Sequence, residues 1–177
     1  AYTPRIALLP APRRLATEGR PHANDREARR QLQRALADVV GEYDLVCFDT
    51  PPTSGLLTVQ ALVASREAYI PMQAHFLAME GMIEIVEVVE QIKKHYNPEL
   101  EIKGIIPTFV GESKDISRQI MEEVEEELGE GIFLKPIRLT GALAEAPGFG
   151  KTIFQYNIRS RGSLDYYRVA QDILDRR

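Results

Sequence analysis

Asp49 is the residue whose setting points most directly to chemistry. It follows the uninterrupted apolar run Leu45-Val46-Cys47-Phe48 and precedes Thr50-Pro51-Pro52. So short an apolar run predicts a strand covered on both faces, as in the parallel sheet of an α/β protein. Asp49 then falls at the carboxyl end of that strand, where such sheets place their ligands. A carboxylate there can hold Mg2+, directly or through water, against a nucleotide phosphate. The plainer alternative is a turn cap ahead of Pro51. A second candidate is Gly148-Phe149-Gly150-Lys151-Thr152, which ends as a Walker A phosphate loop does. The full loop pattern requires glycine at position 145, where this chain has Glu145. The residues after it, Ile153 to Tyr156, read as extended rather than as the helix a phosphate loop must open. The loop is therefore not read as a phosphate site. His22, His75 and His95 are scattered and form neither a metal set nor a triad.

Asp49 can act only if flanking elements hold its strand. Ile6 to Leu9 reads as a short buried strand stopped by Pro10 and Pro12. A helix capped by Asn24 or Asp25 carries Ala28, Leu32, Ala35, Leu36 and Val39 and ends at Gly41. Past Gly55, Leu56 to Ala64 reads as a short helix, and Ala68 to Ile70 as a strand ending at Pro71. The longest helix spans about Leu77 to Tyr96. Its Met79, Met82, Ile83, Val86 and Val89 form an apolar face opposite Glu80, Glu84, Glu87, Glu90 and Lys94, and Asn97-Pro98 stops it. Ile102 to Ile106 is the next strand, leading into Pro107-Thr108-Phe109. Asp115 to Leu128 is helical, with a glutamate-rich outer face. Ile132 to Leu134 reads as a strand and Ala142 to Glu145 as a short helix. Ser163 opens a last helix, in which Leu164, Tyr167, Ala170 and Leu174 are expected to face inward. About five strands alternate with helices. The pattern specifies one α/β domain over residues 1–177, mainly a parallel sheet with helices on both faces.

With 177 residues and a net charge of −4, the chain has enough length for a full core and no overall excess of basic charge for nucleic acid. Residues 1–34 nevertheless hold eight arginines against three acids. Such a cluster forms either a solvated helix face or a surface for DNA or an acidic partner. Cys47, the single cysteine, allows no internal disulfide and reads as a buried core thiol, which fits a reducing cytoplasm. No signal-peptide pattern or membrane-length apolar stretch is present, so a soluble protein is expected. The chain opens Ala1-Tyr2-Thr3-Pro4 without a methionine, and a fragment is expected on that ground.

Taken together, the ordered blocks resemble a known family. Tyr43-Asp44, the strand, Asp49-Thr50-Pro51-Pro52 and Gly55-Leu56-Leu57-Thr58 resemble the Walker B region of the ParA/Soj ATPases, relatives of MinD. Ile70-Pro71-Met72-Gln73 with Ala78-Met79-Glu80-Gly81, Glu145-Ala146-Pro147 with Gly150-Lys151, and Ser160-Arg161-Gly162 resemble further family blocks in the same order. So do Leu8-Leu9-Pro10-Ala11 and Leu15-Ala16 near the start. The resemblance implies a P-loop NTPase-like fold of the ParA/MinD type, truncated at its N-terminus and lacking the Walker A segment. It implies an ATPase that uses ATP/ADP and Mg2+ and forms a homodimer in the ATP state. It also implies non-specific binding to nucleoid DNA and stimulation by a ParB-type centromere-binding partner. Asp49 matches the family's catalytic and Mg2+-holding Walker B aspartate, with Pro51 beside it at the nucleotide. Thr108 and Phe109 match a strand end that borders adenine, and Arg138 to Thr140 loosely occupy the family's "PRN" segment near the base.

The departures bear on DNA binding. Ala142 stands where the family has an arginine used toward DNA, leaving Lys114 and Arg118 as candidate phosphate contacts. The glutamate-rich face just beyond them opposes DNA at low salt. The present chain, without a phosphate cradle, is expected to be inactive alone. Two other readings stay open. One is an interaction module that kept the fold without nucleotide chemistry. The other is a MinD-type positioning ATPase, which the lack of a basic amphipathic tail after Tyr167 disfavours, so no stable membrane association is expected.

Overall fold

The computed structural model describes residues 5–11, 26–51, 55–73, 76–110 and 115–177, in two compact units, Ala1–Ser65 and Arg66–Arg177. In the second unit three parallel strands lie in the order β1-β2-β3: β1 is Glu67–Gln73, β2 Glu101–Val110 and β3 Ile137–Arg138. Helix α4 (Phe76–His95) connects β1 to β2, and α5 (Asp115–Leu128) connects β2 to β3. Parallel neighbours require crossovers of this kind. After β3 come the short helices α6 (Gly141–Glu145) and α7 (Ile153–Asn157), then α8 (Arg161–Asp175).

The sheet is apolar on both faces because both are covered. On one face Ile70, Met72 and Ile105 pack with Met82 and Val86 of α4 and Val124 and Leu128 of α5. On the other, Tyr69, Ile106 and Ile137 pack with Leu143 of α6 and Val169 and Ile173 of α8. Neighbouring residues Ile105 and Ile106 serve opposite clusters, as the two-residue repeat of a strand requires. This is the expected parallel α/β architecture. Pro71 sits within β1, which pairs with one strand only among the described residues, and an edge strand is where a sheet tolerates proline.

Several local expectations are corrected. Ile132 to Leu134 is not a strand: Phe133 alone bridges Ile105, and Pro136, which has no N–H, separates that bridge from β3. The helix after the Gly-rich loop replaces the extended segment expected at Ile153 to Tyr156. Its cause is a reciprocal cap, in which Thr152 Oγ1 accepts from Gln155 N at 3.2 Å and Gln155 Oε1 accepts from Thr152 N at 3.1 Å. Helix α8 begins after Ser160, whose hydroxyl accepts from Ser163 N, and it is rotated from its expected phase. Gly162, Ser163, Asp165 and Val169 are buried, whereas Leu164, Tyr167 and Leu174 are exposed.

The first unit is less regular. Helices α1 (Arg26–Arg29) and α2 (Gln31–Ala35), a 3-10 turn at Val40–Glu42 and helix α3 (Leu56–Ala64) are its elements among the described residues. Gln60 on α3 ties back to α1 by donating Nε2–H to the Ala28 carbonyl at 2.6 Å. The helix expected from Asn24 to Gly41 is thus divided, and its proposed cap lies outside the described residues. The strands expected at Ile6 to Leu9 and Leu45 to Phe48 do not form. Both segments are without ladder partners among the described residues, and Leu9 and Leu45 are 77% and 54% exposed. Cys47 is exposed with them, not a core thiol. Apolarity selects a burial preference, but a strand also needs a neighbour to satisfy its N–H and C=O groups.

Candidate functional site

The carboxyl ends of β2 and β3 form the most distinctive local geometry in the second unit. Thr108 pairs with Ile137 and Val110 with Arg138, so Phe109 is the extra residue of a bulge. Its φ is 51°, the one positive value outside glycine among the described residues, and the residue is 50% exposed. An aromatic residue in the left-handed region costs roughly 1–2 kcal/mol. Strained residues cluster at functional sites, and open parallel sheets bind their ligands outside the carboxyl ends of the strands. Thr108 is half-buried beside it.

Arg138 reaches this edge with its guanidinium already engaged. Asp165 Oδ2 accepts from the Arg138 backbone N at 3.2 Å and from Nε at 2.9 Å, while Oδ1 accepts from Nη2 at 2.5 Å. The Asp165 side chain is 3% exposed. These hydrogen bonds from Arg138 hold its carboxyl below the ordinary aspartate range, against the opposing effect of burial. One residue further on, Leu139 N reaches Val110 O at 3.4 Å, and Thr140 caps α6 by accepting from Leu143 N at 3.4 Å. The polypeptide from 138 to 140 is thereby strung between a grip on α8 and a helix cap, with Phe109 beside it.

The Gly-Lys-Thr stretch does precede a helix, unlike the expectation, yet the phosphate-loop reading still fails. A 3-10 turn, Ala146–Phe149, comes before it in place of a strand, and Gly150 closes that turn at φ 62°. The Thr152 hydroxyl is used as a cap, and α7 is only five residues long. The turn is braced from within: Phe149 stacks on Tyr156 at 5.3 Å, and the Tyr156 hydroxyl donates to Glu145 Oε2 at 2.6 Å. That bond pushes the Tyr156 phenol above its usual range.

Asp49 and Pro51 belong to the first unit, both exposed in the irregular segment after Tyr43. Among the described residues no three His, Cys, Asp or Glu side chains gather to hold a metal ion by themselves. Mg2+ is commonly held by one or two carboxylates with waters and substrate phosphates completing the shell. A single accessible carboxylate such as Asp49 fits that donor set. Lys114 lies outside the described residues, and Arg118 is placed in α5 by its backbone alone.

A family model described as an AAA domain matches residues 2–102. The sporulation initiation inhibitor protein Soj of Bacillus subtilis is 36% identical over 143 residues, 81% of this chain and 56% of that protein. The chromosome partitioning protein ParA of Myxococcus xanthus is 33% identical over 146 residues, 82% of this chain and 52% of that one. This chain belongs to the ParA/Soj family of P-loop ATPases. It spans about half the length of the curated relatives it matches. Among solved structures, a Mycobacterium smegmatis cobyrinic acid a,c-diamide synthase with bound ATP analog and magnesium superposes with a TM-score of 0.68 at 26% identity. That match covers 83% of this chain and 54% of the other.

Within this ParA/Soj chain, the residues that organise the edge include several that motif reading passed over. Asp165, Val169 and Asp172 of α8, with Arg176 at its C-cap, recur at helical spacing along the side that meets the residues before and within β3. Asp172 Oδ2 accepts from Lys135 N at 2.8 Å. Arg176 donates to the carbonyls of Lys103, Gly131, Ile132 and Phe133 at 2.7 to 3.3 Å. The signal was present as a period, but three of its four members are charged, and charge reads as solvent-facing.

Proposed function

We propose that this chain is the C-terminal portion of the single ATPase domain of a ParA-type DNA-partitioning protein. In that reading the protein is a switch that binds ATP with Mg2+, dimerises in the ATP state and releases ADP after hydrolysis. Its partners are non-specific nucleoid DNA and a ParB-type centromere-binding protein. The observation that carries the reading is the β2–β3 carboxyl edge, where Phe109 is turned out of the ladder at φ 51° beside the 138–140 segment. Thr108, Phe109, Arg138 and Thr140 border the base there, Arg138 through its position in the chain, since its guanidinium is held by Asp165. Asp49, with Pro51 beside it, is the carboxylate proposed to hold Mg2+, directly or through water. A metal so held neutralises charge developing on the transferred phosphoryl group. Lys114 and Arg118 are the proposed DNA phosphate contacts.

The phosphate cradle that this mechanism needs is proposed to lie in the part of the ParA-type domain preceding this chain, so residues 1–177 alone are expected to be inactive. One experiment addresses both parts. In the full-length protein, Asp49→Ala should lower Mg-dependent ATP turnover by roughly 100-fold or more, about 3 kcal/mol of barrier, with an unchanged circular dichroism spectrum. Turnover at the parent rate in that variant removes Asp49 from the metal site. Residues 1–177 alone, titrated with Mg·ATP by calorimetry, should give no phosphate release; micromolar binding with release would mean that the chain holds a complete site.

A further inference from the structure

We propose that Asp165 is a positioning residue for the base-binding edge, holding the 138–140 segment against Phe109 and so setting which purine the edge accepts. This rests on the nucleotide-site reading above. Strand β3 is only two residues long, and the bond that follows it, Leu139 N to Val110 O, is stretched to 3.4 Å. The ladder therefore holds the segment after Arg138 weakly. Asp165 supplies what the ladder lacks: it takes the Arg138 backbone N–H and both guanidinium prongs on one buried carboxylate. Charge-assisted, two-pronged bonds are shorter and more directional than neutral ones. The carboxylate itself stands on a well-anchored helix, because Ser160 caps α8, Asp172 grips Lys135 N, and Arg176 holds four carbonyls.

The grip acts on a backbone amide as well as a side chain, so it fixes the main-chain course into Leu139 and Thr140. Thr140 then caps α6, which leaves Leu139 as the link between the two fixed points. Leu139, whose N–H reaches the carbonyl of the residue after Phe109, is exposed, as Phe109 is. Main-chain N–H and C=O groups held at fixed positions can tell an amino from a carbonyl on a purine edge, since a mismatched polar pair left unsatisfied is costly. An aromatic face alone cannot, because every base stacks. Loosening the grip should therefore cost base discrimination more than it costs binding to phosphate.

The test is calorimetric titration of the full-length protein with Mg·ATP and, separately, Mg·GTP, for the parent and for Asp165→Asn. The asparagine keeps the shape and one acceptor but removes the charge that holds the guanidinium. The expected result is a parent that prefers ATP and a variant whose ATP affinity falls roughly 10-fold while its ATP-to-GTP ratio moves toward one. A variant that melts lower yet keeps the parent's ATP affinity and ratio overturns the proposal, because the pair is then structural only. A parent that binds neither nucleotide overturns the nucleotide-site reading and this proposal with it, an outcome recognised before any variant is made. Should Asp165→Asn fail to fold, the double variant Arg138→Gln with Asp165→Asn, an uncharged hydrogen-bonding pair, is read by the same two criteria.

Discussion

Asp165 and Phe109 show how single residues can be made costly by their surroundings. Asp165 is ionised inside the protein because Arg138 hydrogen-bonds the charged form, which places its folded pKa below the ordinary value of 3.8. A carboxyl depressed on folding contributes stability above its unfolded pKa, and that contribution is lost as pH falls through the folded value. At pH 7, Asp165→Asn should therefore destabilise the protein by about 2 kcal/mol. The gap in melting temperature between parent and variant should close as pH is lowered through and below about 4. A gap that stays constant from pH 7 to pH 3 would mean that the Asp165 charge does not enter the folded state's stability. Phe109 is the opposite case, a residue kept despite its backbone. Phe109→Gly relieves the positive-φ cost and should leave the stability unchanged or raise it by up to about 1 kcal/mol, read as an unchanged or slightly higher melting temperature. Nucleotide affinity should fall several-fold because the exposed ring is lost. Unchanged nucleotide affinity in a normally folded Phe109→Gly protein would free the ring from any ligand role.

At the scale of elements, α8 is fastened by polar stitches around a small apolar centre. Arg176, Asp172 and Asp165 engage residues 131–133, 135 and 138 in turn, so the approach to β3 runs antiparallel along the helix. Val169 and Ile173 supply the apolar contact between them. The same neighbourhood explains Gly104 of β2. A Cβ there would overlap the buried Leu134 Cδ1 and stand 3.2 Å from the Ile132 carbonyl oxygen. Ile132 O is the acceptor for Ile105 N at 2.9 Å, so a displaced Ile132 also loosens the strand. Gly104→Ala should cost about 1–3 kcal/mol by overpacking. Hydrogen exchange should quicken across residues 105 and 131–138 while α4 stays protected. Uniform exchange throughout the second unit would mean that the strain is not local.

For the molecule as a whole, charge distribution matters more than its sum. The net charge is −4, yet residues 1–34 are rich in arginine and Glu122, Glu123, Glu126 and Glu127 are exposed on α5. If Lys114 and Arg118 lead DNA binding, the acidic face close by must weaken it, and affinity should be strongly salt-dependent. Each phosphate contact removed should reduce the magnitude of the slope of log K against log salt by roughly 0.9. Lys114→Glu in the ATP-bound full-length protein is expected to lower DNA affinity and flatten that slope. An unaltered slope would assign the contact to another surface. No helix among the described residues is long and apolar enough to cross a membrane.

What the sequence determined by itself was the alternation of β1, α4, β2 and α5 and the family. The α4 and α5 helices, the positions of β1 and β2 and the parallel class follow from hydrophobic period and punctuation, because crossover helices and buried strands each leave a local signature. The ordered motif blocks added Asp49, Thr108 and Phe109 as residues to watch. Only the tertiary structure decided the rest. Leu45 to Phe48 has the composition of a buried strand, but pairing is a property of two segments and cannot be read from one. The phase of α8 was hidden because its inward face is fastened by Asp165, Asp172 and Arg176, whose burial depends on partners more than 25 residues away in sequence. The bulge at Phe109 arises from the register of β2 against β3, a relation between strands that no local pattern encodes.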